Sequence, residues 1–101
     1  MTLFKAVRAL GASELALEYE RRGLVPADAY SLAAINRDDP RLSDRKTNST
    51  HWLGPNGEVR AITFGNMAVL RSDDRYVSVH TLINGGAGYG IWLGGIAKKN
   101  V

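Results

Sequence analysis

The residues of this 101-residue chain best suited to chemistry lie in its second half: His51, Glu58, Arg60, Arg71, Tyr76 and His80. The two histidines can take up and release protons near neutral pH, and Glu58 can act as a carboxylate base. Arg60 and Arg71 carry guanidinium forks that make paired, charge-assisted hydrogen bonds to a phosphate or a carboxylate. Tyr76 adds an aromatic surface with a polar tip. Acid–base work on a phosphodiester and recognition of an acidic partner are therefore the two chemistries within reach.

No local spacing ties these residues into a motif. There is no cysteine, which excludes disulfides, thiol catalysis and cysteine-based zinc sites. Two histidines without His-x-x-x-His spacing leave only an improvised metal site with Asp38, Asp39 or Asp44. Neither a metal nor another cofactor is expected. The run Gly85-Gly86-Ala87-Gly88-Tyr89-Gly90 suggests a phosphate loop. Such a loop opens a helix, however, and Ile91-Trp92-Leu93 reads as a strand. Tyr89 remains a contact residue at the tip of a hairpin loop. A helix-turn-helix around Gly23-Leu24-Val25-Pro26 is set aside, because the segment Ala27 to Ile35 carries no basic residue to meet DNA.

The elements that must position these residues change character at the middle of the chain. Thr2 can cap a first helix that ends near Leu10, with Leu3, Phe4, Val7 and Leu10 on one stripe. Ser13 can cap a second helix, Glu14 to Arg22, stopped by Gly23. Pro26 suits the first turn of a third, which reaches Ile35 and stops at Asn36. After the helical part, 1–36, comes a polar crossover loop, 37–50. A sheet part, 51–97, follows with turn signals at Gly54-Pro55-Asn56-Gly57, Gly65-Asn66 and Ser72-Asp73-Asp74-Arg75. Helices first and strands second predict a single α+β domain over 1–101. Its two or three helices would pack on one face of an antiparallel meander of four to five strands.

A two-residue turn at Gly65-Asn66 sets Phe64 opposite Met67 and Arg60 opposite Arg71. A second tight turn at Asp73-Asp74 sets Arg71 opposite Tyr76. With side chains alternating between faces, Ala61, Thr63, Val77 and Val79 face the helices and form the core. Arg60, Ile62, Phe64, Tyr76, Ser78 and His80 share the other face. Two opposed arginines repel mildly, by about 0.2–1 kcal/mol, and a bound anion or acidic partner removes that cost. A nearby Glu58 or Asp74, or a one-residue slip in register, removes it equally well.

Charge is less informative than the pI of about 9.5 suggests. Thirteen Lys and Arg face ten Asp and Glu, for a net charge of +3. No basic run exceeds two residues, so a nucleic-acid surface would have to arise by clustering in space. The first residues are too interrupted by charge for a secretory leader, and no apolar stretch approaches the ~20 residues that span a bilayer. A cytoplasmic protein without membrane contact is expected.

The residues together point to a small protein that binds, and inhibits or modulates, a macromolecular partner without catalysis. A protein is the partner expected first. Binding is assigned to Arg60, Arg71 and Tyr76 on the sheet, to Arg41, Arg45 and Lys46 in the crossover loop, and to Tyr89. A compact chain of this kind suits an inhibitor carried by a phage or another mobile element. The alternative is a small basic ribonuclease-type toxin using His80, His51 and Glu58. A weak nucleic-acid-binding module is the third reading.

Overall fold

The computed structural model describes residues 1–67, 74–82 and 90–98. Among them lie three helices and six strands. The order is β1 (Thr2–Lys5), α1 (Ala12–Arg21), β2 (Leu24–Pro26), α2 (Ala29–Asp38), α3 (Leu42–Arg45), β3 (Asn48–Leu53), β4 (Val59–Asn66), β5 (Arg75–Thr81) and β6 (Trp92–Ala97). The protein is α+β, and one sheet holds every strand in the order β1-β6-β3-β4-β5, with β2 also paired to β6. None of the helices among the described residues is long and apolar enough to cross a membrane.

The N-terminal segment is a strand, where its apolar spacing predicts a helix. Phe4 pairs with Leu93 and Leu3 with Gly94 on β6. The Phe4 ring packs edge-on to Tyr19 at 5.0 Å. Burial against a distant strand outweighs a short helical stripe, whose Val7 is left exposed. Leu24-Val25-Pro26 is likewise a short strand on β6, not a turn.

Two helix ends follow local chemistry. The Glu14 carboxylate reaches back to accept from the Gly11 amide at 3.1 Å, so α1 is capped two residues before the expected Ser13, and it ends at Arg21, just ahead of Gly23 with its positive φ. Asp28 caps α2, accepting from the Ser31 amide at 2.8 Å and from the Ser31 hydroxyl at 2.7 Å. Pro26 therefore closes the strand that precedes α2, and Asn36 lies within the helix.

The polar segment 37–50 is structured. It holds α3 and the first half of β3. Asn48 and Thr50 are fully buried yet satisfied. Asn36 and Asn48 exchange amide hydrogen bonds at 2.7 and 3.1 Å, Asn48 also donates to the Lys46 carbonyl, and Thr50 donates to the Ala27 carbonyl. Hydrogen-bonding capacity within this run lets a polar strand sit inside the protein.

The sheet is mixed, which corrects the antiparallel meander. Strands β3, β4 and β5 do form a meander, but β6 returns to the far edge of β3 and runs parallel to it. The helices also occupy both faces of the sheet. Alternation along the paired strands puts Phe4, Leu93, Ser49, His51, Ala61, Thr63, Tyr76, Ser78 and His80 on one face. There Leu15 and Tyr19 of α1 join Phe4, Leu24 and Leu93 in the main core. On the other face Leu32 of α2 and α3 cover Gly94, Asn48, Asn66 and Arg75. The adjacent Gly94 and Gly95 make this double covering possible. A Cβ on Gly94 would lie 3.0 Å from Leu32, and one on Gly95 would lie 3.1 Å from Tyr19 and from Leu24.

The expected hairpin at Gly65-Asn66 is absent, because β4 continues through both residues. Gly65 pairs with Tyr76 and Asn66 with Arg75, and the Met67 amide donates to the Asp74 carbonyl at 3.0 Å. Gly65 serves as a seat for the Tyr76 ring: a Cβ there would lie 2.5 Å from the phenol. This register turns β5 over. Val77 and Val79 share the face of Ile62 and Phe64 and are 60% and 55% exposed, so they are not core residues.

Candidate functional site

The α1 face is lined where the helix stops short of β4 and β5. Its side chains form a grid over three strands. One row is Ser49, Thr63 and Ser78, and the next is His51, Ala61 and His80. Small Ala61 and Gly65 make the floor low. The result is a cleft of about 410 Å³ lined by Ser49, His51, Thr63, Tyr76, Ser78 and His80, with Leu15, Leu82, Ile91 and Leu93 as apolar walls.

The polar groups of this cleft are partly linked to one another. Thr63 donates to the Ser49 hydroxyl at 3.1 Å, and Ser49 donates to the Ile62 carbonyl at 2.9 Å. The Ser78 hydroxyl lies 3.2 Å from His80 Nδ1. His51 packs edge-on to Tyr19 at 5.5 Å, and burial holds its pKa below the usual histidine value. At neutral pH it is therefore an uncharged imidazole, able to donate with one nitrogen and accept with the other. Among the described residues the lining holds no Lys, Arg, Asp or Glu.

Two of the three residues of the enzymatic reading line the same cleft. His51 and His80 flank Ala61 on one face. Glu58 does not join them. Its carboxylate accepts from the Asn56 amide at 2.9 Å and closes the turn before β4. No group of three or more His, Cys, Asp or Glu among the described residues is arranged to hold a metal ion.

The residues assigned to binding divide between places. Arg60 lies on the α2 face with Trp52 and Thr81 as its cross-strand partners. Arg71 and Tyr89 lie outside the described residues. Arg41 precedes α3, Arg45 ends it and pairs with Asp39 at 2.9 Å, and Lys46 stands 4.3 Å over the Trp92 ring. Tyr76 borders both the α1-face cleft and a second groove of about 370 Å³. That groove runs between α2–α3 and β4–β5 and is lined by Ala33, Asn36, Arg37, Pro40, Ser43, Phe64, Arg75 and Val77. Arg60 is six residues from Asn66 along β4, hence about 20 Å from the α3 end of this face.

Arg75, which lines that groove, is ion-paired to Asp44 of α3. The guanidinium donates to Asp44 through Nε at 2.8 Å and Nη2 at 2.6 Å, and Asn66 donates to the same carboxylate at 2.7 Å. These bonds hold the Asp44 carboxyl well below its usual pKa. Neither residue stands out in the sequence, because a partner 31 positions away leaves no local mark. Ser49 and Ser78 did leave one. Ser49-Thr50-His51 and Ser78-Val79-His80 repeat Ser-x-His, and in strands that spacing puts both side chains on one face.

No family model, characterised protein or solved structure matches this chain.

Proposed function

We propose that this protein acts in the cytoplasm by binding a protein partner, without catalysis, through the edge strand β5 and the adjoining groove of the α2 face. The observation that supports this reading is the state of β5. It ends the sheet, no strand among the described residues pairs with its outer side, and Val77 and Val79 stand exposed at its centre. An open edge with apolar side chains is a template for an added strand. The occupant is an extended, acidic segment of the partner. The groove offers Phe64, Val77, Ala33 and Pro40 for apolar side chains, and its described lining contains Arg37, whose pairing with Asp38 is exposed, and Arg75, which Asp44 holds. Arg41 and Arg45 stand at its α3 end and suit the steering of an acidic partner. An inhibitor carried by a phage or another mobile element is one setting in which such a surface would serve.

The test is affinity capture from the native host, comparing the chain with a Val77→Glu/Val79→Glu variant. A host protein enriched by the first and lost by the second supports the reading. Equal capture by both, or no enrichment over bare resin, contradicts it.

A second reading, a small ribonuclease, rests on one observation: His51 and His80 share a cleft. It stands behind the first because the described lining of that cleft supplies no cation to bind a phosphate, and Glu58 lies elsewhere.

A further inference from the structure

We propose that the cleft on the α1 face binds an uncharged planar heterocycle of the nucleobase or nucleoside class. Three features of the cleft carry this. The first is its size: about 410 Å³ falls in the range of small-molecule sites, roughly 300–1,000 Å³. The second is the absence of formal charge from the described lining. A phosphate or an ammonium group seated here would lose water without gaining a counter-ion, which is costly. A neutral ligand avoids that loss. The third is the kind of polar group present. Ser49, Thr63, Ser78 and Tyr76 offer hydroxyls, and His51 offers a neutral imidazole. Ser49 and Thr63 have committed their hydrogens within the protein and can accept, while Tyr76, Ser78 and His51 can donate as well, so together they offer both donors and acceptors to the edge of a base.

The walls complete the match. Leu15 comes from α1, while Ile91 and Leu93 come from the β6 side, giving apolar surfaces for the faces of a flat ring. The ring would enter over the low floor of Ala61 and Gly65, beside Tyr76, which leans across Gly65. This site lies on the opposite face of the sheet from Val77 and Val79, so its occupancy does not depend on the docking surface described above.

The test is titration of the chain with adenosine, guanosine, cytidine and uridine, and with their 5′-monophosphates, read by calorimetry and by the histidine ring-proton signals. At least one nucleoside is expected to bind saturably and to shift the His51 and His80 signals, and its monophosphate is expected to bind more weakly. Ser78→Leu fills the cleft, and His80→Ala opens it without adding bulk. Each should weaken nucleoside binding by about tenfold or more while the thermal unfolding curve stays cooperative. Val79→Lys, on the far face, should leave it unchanged. No saturable binding by any nucleoside at millimolar concentration overturns the proposal. So does tighter binding of a monophosphate, or binding by Ser78→Leu and by His80→Ala as strong as that of the unaltered chain.

Discussion

The Arg75 guanidinium grips the Asp44 carboxylate with two nitrogens, and this contact joins α3 to the outermost strand of the sheet. It spans 31 residues of chain and is only partly exposed, at 30% for Arg75 and 14% for Asp44. Asn66 on β4 donates to the same carboxylate. One acidic side chain thus fixes the ends of two strands against a four-residue helix, and with them the wall of the groove assigned to partner binding.

Loss of this contact should loosen β5. Asp44→Asn is expected to lower the urea midpoint at pH 7, since it removes the charge that both arginine nitrogens meet. The folded-state pKa of Asp44 is depressed, so its stabilisation is full above the unfolded value of about 4 and shrinks as pH falls toward the folded value. The gap between the two proteins should therefore be largest near neutrality and narrow in strong acid. A gap that does not change between pH 7 and pH 2 would assign the effect to packing alone.

His51 acts in a higher window. Its folded pKa is also lowered, here by burial, so protonation favours the unfolded chain. Stability should be full above about pH 6.5 and decline as pH falls below it, levelling off under the folded value. Replacement of His51 by Gln should flatten the unfolding free energy between pH 7.5 and pH 5. An unchanged slope in that variant would place the responsible group elsewhere.

Core and surface can be separated by two alanine variants. Leu32 is 0% exposed beneath α2, whereas Val79 is 55% exposed. Leu32→Ala should cost about 2–5 kcal/mol by denaturant unfolding, and Val79→Ala less than about 1 kcal/mol. A Val79→Ala cost as large as that of Leu32→Ala would mean that β5 faces the core.

Hydrolysis of RNA is not expected at neutral pH. The two histidines share a cleft, but His51 is held uncharged and Glu58 is engaged in its turn. Cleavage of a single-stranded RNA that disappears in His51→Ala and in His80→Ala would promote the ribonuclease reading.

The sequence made the α+β class legible, along with the two longer helices and the strands over 51–53, 59–64 and 76–81. What it hid has specific causes. Thr2–Lys5 is a strand only because β6, some ninety residues away, offers Leu93 and Gly94 to pair with. Asn48 and Thr50 look like loop residues until Asn36 and Ala27 satisfy them. Gly65 looks like a turn residue, and its function as a seat for Tyr76 needs the partner strand to be known. That one misreading turned β5 over. It put Val77 and Val79 in the core. The histidines themselves were evident from residue type, whereas the hydroxyl row of Ser49, Thr63 and Ser78 went unread because it forms only when three strands pair.

Amide hydrogen exchange across β5 tests most directly whether this strand is the docking edge. The chain is to be compared alone and mixed with the host protein that it captures. The expected result is slowed exchange for amides within Arg75–Thr81, absent in the Val77→Glu/Val79→Glu variant. Unchanged exchange along β5, with protection appearing instead on α1 or at the His51–His80 cleft, would contradict the account.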